Sequence, residues 1–157
     1  MKHTLICILT MFALLSLSAC TSVPAGSMPP GTITELAVGT VTDAAILVVE
    51  KNPKAKPVLQ AISTRLDEIL QGRDVTQAGV DLFIQQLDIG ANLTPEQRKV
   101  MSRAVSRTFT LLTVLTGSSV LNLAEPSPGM PSDQADKVRQ ARAIVQQIKA
   151  SVDAVLL

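Results

Sequence analysis

Tryptophan and tyrosine are missing from this chain, and phenylalanine occurs only three times in 157 residues. Aromatic platforms on which bases or sugars stack are therefore nearly absent. The only histidine, His3, and the only cysteines, Cys7 and Cys20, all fall within the first twenty residues. Past that point neither a Ser-His-Asp nor a Cys-His arrangement can be assembled, and a His-rich zinc site is equally out of reach. There is no Gly-x-Ser-x-Gly elbow, no Ser-x-x-Lys pair and no glycine-rich phosphate loop ending in lysine. Carboxylates remain, but Asp67 and Glu68 are adjacent and would point apart on a helix. A net charge of +1 gives no global attraction to nucleic acid. These absences favour a non-catalytic protein with no metal and no cofactor.

What is present begins with a leader. Lys2 lies in a short polar start, residues 5–17 are mostly apolar, and Leu17-Ser18-Ala19-Cys20 closes the run. That order is the pattern of a secretory signal peptide, and the apolar run is too short for the ~20 residues that cross a bilayer. The cleavage region resembles the lipobox of bacterial lipoproteins: an aliphatic residue, two small residues and an obligatory cysteine, matched position for position. The resemblance covers the first twenty residues only. It implies cleavage before Cys20, a diacylglyceryl group on the Cys20 sulfur and a further acyl chain on the new amino terminus. Thr21 in place of aspartate resembles the pattern sent to the outer membrane in a diderm host, facing the periplasm.

Removing residues 1–19 takes away His3, Cys7 and Lys2, leaving basic and acidic side chains equal in number. With Cys20 lipidated, no intramolecular disulfide can form, so stability must come from a packed core. Residues 20–31 carry Pro24, Pro29, Pro30, Gly26 and Gly31, a flexible tether by composition. Residues 32–157 are expected to form an all-α domain, a bundle of four or five helices.

The first helix is expected from Thr34 as N-cap, with Ile33 and Val38 stapled across it. Its segment 37–49 is apolar on nearly every side, with enough β-branched residues to leave a strand as the alternative. Asn52-Pro53 ends it. A second helix carries Val58, Ile62, Leu66 and Ile69 on one face and stops at Gly72. Asp74 opens a third, burying Val80, Phe83, Ile84 and Leu87, closed by Gly90. Thr94-Pro95-Glu96-Gln97 forms a capping box for the fourth, along which Met101, Ala104, Thr108, Leu111 and Leu115 recur before Gly117. Residues 118–124 fit one more helical turn, and residues 125–131, with three prolines, must be a loop. Ser132 caps the last helix, whose Val138, Ala141, Val145, Ile148, Val152 and Val155 make a heptad seam.

Two surfaces are candidates for contact with other molecules. Val138, Val145 and Val152 of the seam either pack inside the domain or dock a partner helix. Arg98, Lys99, Arg103 and Arg107 form a basic stripe on the fourth helix. Asp74, Asp81 and Asp88, seven apart, are expected to pair with Lys99, Arg103 and Arg107 across neighbouring helices; unpaired, the stripe would meet anionic headgroups. The reading is a membrane-anchored, extracytoplasmic lipoprotein held at Cys20, with a helical interaction or structural domain and an envelope protein as partner. The alternative is a lipid-binding or membrane-active protein that uses segment 37–49, too short to span, to enter the bilayer or enclose an acyl chain.

Overall fold

The computed structural model of the chain describes residues 30–90 and 93–157, and the side chains of residues 31–86 and 93–157. The leader, Cys20 and nearly all of the tether lie outside them, as do the side chains of Leu87 and Asp88. Among the described residues the protein is all-α, with five helices, one 3-10 turn and one two-stranded ladder.

Helix α1 (Pro30–Lys51) includes the expected cap, Thr34, as an interior residue. Pro30 and Gly31, assigned to the tether by composition, belong to the helix. The strand alternative is not adopted. Ile33, Ala37, Val41, Ala44, Ala45 and Val48 recur at helical spacing and are buried. They place α1 against both α4 (Pro95–Thr116) and α5 (Ser132–Leu156).

Asn52 accepts a hydrogen bond from the Lys54 amide (3.2 Å) and opens a 3-10 turn, Pro53–Ala55, that leads into α2 (Lys56–Leu70). The expected stripe of Val58, Ile62, Leu66 and Ile69 is buried, together with Leu59, and α2 packs on α5. Gly72 has φ 89°, and a Cβ there would lie 2.8 Å from the Ala124 Cβ. Both the left-handed backbone and the close approach require glycine.

Between Gly72 and the third helix the chain departs from expectation. Val75–Thr76 forms strand β1, which pairs antiparallel with β2 (Val120–Leu121), Val75 opposite Leu121 and Thr76 opposite Val120. Helix α3 therefore runs over Gln77–Gly90, and Asp74 stands before it in the connecting loop. Residues 118–124 do not extend α4: Gly117 (φ 67°) ends it, and the β-branched Val120 enters the ladder.

The capping box of α4 forms as read. Thr94 Oγ1 accepts from the Gln97 amide (3.2 Å), and Gln97 Oε1 accepts from the Thr94 amide (3.0 Å). The same Gln97 side chain, buried, donates from Nε2 to the Val48 carbonyl of α1 (3.4 Å). The last helix begins with Ser132 already inside it. Pro131 occupies the cap position and makes no side-chain cap bond.

The seam of α5 is consumed within the domain. Val138, Ala141, Val145, Ile148 and Val152 are buried in one core shared with α1 and α2. As a docking surface, Val138, Val145 and Val152 are thus already occupied. Two cations clasp the packed helices. Arg142 Nη1 donates to the carbonyls of Leu70 (2.8 Å) and Leu123, and its Nη2 lies 2.7 Å from Glu125 Oε1. Lys56 Nζ donates to the Leu156 carbonyl (3.0 Å), satisfying an acceptor at the end of α5.

Candidate functional site: an apolar cavity

The feature with most capacity for chemistry is a cavity of about 300 Å³ to which every helix contributes. Its position follows from the poverty of α3. Among the described side chains of that helix only Val80 is buried, Phe83 and Ile84 are half-buried, and Leu82 points outward at 59% exposure. The space beneath is walled by Ile62, Leu66 and Ile69 of α2 and by Val105, Phe109 and Leu112 of α4.

One polar residue is buried in the apolar wall on the α4 side. Thr108, only 6% exposed, lines the cavity, and its hydroxyl has no hydrogen-bond partner. The other threonines of α4 differ: Thr110, Thr113 and Thr116 donate to the carbonyls of Ser106, Thr110 and Leu112 at 2.9 Å each. That back-bonding is the ordinary outcome for threonine inside a helix. A buried hydroxyl that forgoes it is costly unless something else supplies the partner.

The rim is charged but balanced. Glu68 receives Arg65 Nη1 on one oxygen and Arg73 Nη1 on the other, both at 2.6 Å. The Arg65 hydrogen bond, reinforced by the Arg73 charge, holds the Glu68 carboxyl below its ordinary range and outweighs the opposing effect of burial. The Arg65 guanidinium also lies 5.5 Å from the centre of the Phe83 ring, within cation–π range. Asp74, the second acid of the rim, accepts from Asn122 Nδ2 (2.7 Å). Two guanidinium groups thus face two carboxylates.

Among the described side chains the expected pairing between aspartates and the basic stripe is not formed; that of Asp88 lies outside them. Asp74 lies outside α3, and Asp81 accepts from Gln77 Nε2 (2.9 Å) on its own helix. Among the described residues Lys99, Arg103 and Arg107 have no ion-pair partner, and all three are exposed. Arg103 and Arg107 flank a shallower depression shared with Thr40 and Asp43 of α1. Arg98 turns back to the Leu93 carbonyl (3.4 Å).

A separate cluster joins α2 to α5. Lys149 Nζ lies 2.6 Å from Asp153 Oδ2 and 3.5 Å from Asp67 Oδ2, and Ser63 Oγ donates to Asp153 Oδ1 (2.6 Å). The Lys149 hydrogen bond, then that of Ser63, lowers the Asp153 pKa, and Asp153 in turn raises that of Lys149. The ions are well solvated, so the cluster serves local order between two helices.

Helix α1 is the one described helix long and apolar enough, by length and composition, to cross a bilayer. Segment 37–49, too short to span by itself, is part of this longer helix. Its buried face nonetheless belongs to the domain core. Among the described residues no three acidic, cysteine or histidine side chains are grouped to hold a metal ion.

Periodicity predicted the α2 side of the cavity wall, but on α4 it named Leu111 and Leu115 where Phe109 and Leu112 are buried against the space. Thr108 was legible as one hydroxyl in the otherwise apolar row Met101, Ala104, Leu111 and Leu115; what it lacked was any sign that its helix carbonyl would be refused. The chain matches no family model, no curated protein and no solved structure, so the site must be read from its own residues.

Proposed function

We propose that the chain is an envelope lipoprotein, anchored through Cys20, whose helices form a non-catalytic binding module arranged as a five-helix bundle. The observation that carries the binding part is the cavity. It has the size and the largely apolar lining of a ligand site. The acid nearest its mouth is a poor candidate for proton transfer. Two guanidinium groups hold Glu68 ionised, whereas a general base works best when its pKa lies near the operating pH.

The anchor is supported by the lipobox-like residues 17–20, and an extracytoplasmic location, at the outer membrane of a diderm host, follows from it. Two or more acyl chains would hold the domain on the membrane, since each buried methylene contributes about 0.8 kcal/mol. A protein partner would meet the exposed Lys99, Arg103 and Arg107. The test is the mass of the chain purified from membranes after feeding labelled palmitate. A product lacking the leader and bearing label on Cys20 is expected. An unmodified chain starting at Met1 would overturn the anchor.

A second reading, lipid binding, is favoured by the same cavity, because its wall is aliphatic and Val41 of α1 contributes to it. The membrane-active version of that reading demands more. Helix α1 would have to leave α4 and α5 and expose Ala37, Ala45 and Val48, all fully buried.

A further inference from the structure

The open groove between α1 and α4 carries acids on one helix and bases on the other. All three acids of α1, Glu35, Asp43 and Glu50, are exposed and have no ion-pair partner among the described residues. Lys99, Arg103 and Arg107 of α4 are equally exposed and unpaired. We propose that this face binds a second copy of the chain, the two protomers meeting around a two-fold axis that runs along the groove. This rests on the reading of a binding module with a protein partner at the α4 stripe, and says which protein that is.

The register of the groove carries the proposal. The Val48 carbonyl of α1 meets Gln97 in the first turn of α4, whereas Thr40 shares the depression with Arg107, so the helices run antiparallel. Asp43 stands at the level of Arg103 and Arg107, yet within one protomer it pairs with neither. Identical faces with aligned helices can meet across a two-fold axis in two ways. An axis perpendicular to the helices lays α1 on α1 and α4 on α4, acid upon acid and base upon base. An axis along the helices lays each α1 on the other copy's α4 with every level unchanged, so Asp43 of each copy meets Arg103 and Arg107 of the other.

The remaining positions agree with that axis. One helical turn beyond Thr40 and Arg107 lie Leu36, 45% exposed, and Leu111, which the axis brings together. In the other direction Leu47 of one copy comes over Val100 of the second. By the same count Glu96, the one acid of α4, falls at the level of Lys51. Surface ion pairs contribute little singly, but pairs enclosed by apolar neighbours are screened less and fix register across an interface. The axis also leaves both α1 helices pointing the same way. Both Pro30 ends emerge on one side, as two chains anchored at Cys20 in one membrane require.

Full chains bearing two different tags, co-expressed and extracted from membranes in detergent, are purified through one tag. Recovery of the second tag is expected. Asp43→Arg and Arg103→Asp should each lower that recovery about tenfold. Combined in one chain they exchange the two ends of the same pair, and recovery should return to within about twofold of the original. Both side chains are exposed and unpaired in the protomer, so the melting temperature of the separated protomer should stay nearly constant across these variants. A short bismaleimide, mapped by peptide mass spectrometry, should link Leu47→Cys in one copy to Val100→Cys in the other in preference to Leu47→Cys with itself.

Recovery unchanged in both single variants, or not regained in the combined one, would overturn the second copy at this face. Linkage of Leu47→Cys only to itself would overturn the axis along the groove. A chain that stays monomeric while Arg103→Asp abolishes its retention on phosphatidylglycerol vesicles would give the face to headgroups and overturn the dimer. If Val100→Cys in membranes is linked to a different envelope protein, the second copy falls and the binding-module reading stands. Linkage to no protein at all would overturn both.

Discussion

Helices α1 and α3 are both rich in apolar residues, yet one is built into the core and the other lies loosely across it. On α1 the buried positions include Ala37, Ala44 and Ala45, small side chains that let α4 and α5 approach closely. On α3 the larger Leu82, Phe83 and Ile84 are spread around the helix, and Leu82 is in water. Total hydrophobicity does not decide how well a helix packs. What decides it is whether the apolar residues share one face and whether their sizes suit the neighbour.

Substitutions can break or sharpen that contrast. The largest effect is expected in the filled region. Leu59, fully buried on α2, should cost about 2–5 kcal/mol as Leu59→Ala, measured by chemical denaturation, because its surroundings cannot collapse. Arg142→Ala comes next. It strips the Leu70 and Leu123 carbonyls of a charged donor and should cost about 1.5–3 kcal/mol, nearly all of it from those two bonds, since Glu125 is well exposed. Thr94→Ala removes the cap of α4 and should cost about 1 kcal/mol. Leu82→Ser, on the loosely packed helix, should stay within about 0.5 kcal/mol and would improve solubility; a loss above 1 kcal/mol would mean that α3 is packed as tightly as α1.

Acidity probes the ion pairs on both sides of the same contrast. Glu68 and Asp153 have pKa values lowered by their partners, so their contribution is present above the ordinary carboxylate range near ~4 and is lost as pH falls through the lower folded values. Lys149 has a raised pKa, so its contribution holds below ~10.4 and disappears only at higher pH still. A melting temperature flat from pH 6 to 8 and declining on acidification below about pH 4 is expected. Asp153→Asn should shrink the decline slightly.

Strong local chemistry made much of the fold readable. The Thr94 capping box, the stops at Gly72 and Gly117, and the stripes of α2 and α5 follow from interactions within a few residues of each other. What could not be read depends on partners distant in sequence. The β1–β2 pairing joins segments more than forty residues apart and shortens α3 by the three residues that Asp74 was expected to open. Arg142 reaches two backbone carbonyls that no motif marks. The cavity was the least legible feature, because a void is set by how completely three helices fill the space between them, and no single segment encodes that.

Gln97 carries a consequence for which amino acids its position will accept. At the third residue of a capping box, glutamate and glutamine ordinarily serve alike, since either offers an oxygen to the cap amide. Here the opposite end of the side chain must present a hydrogen to the Val48 carbonyl in a site sealed from water. An ionised glutamate would turn oxygen toward oxygen there. The acid–amide exchange that is harmless at most helix starts becomes forbidden at this one, and the two helices read the same side chain for different atoms.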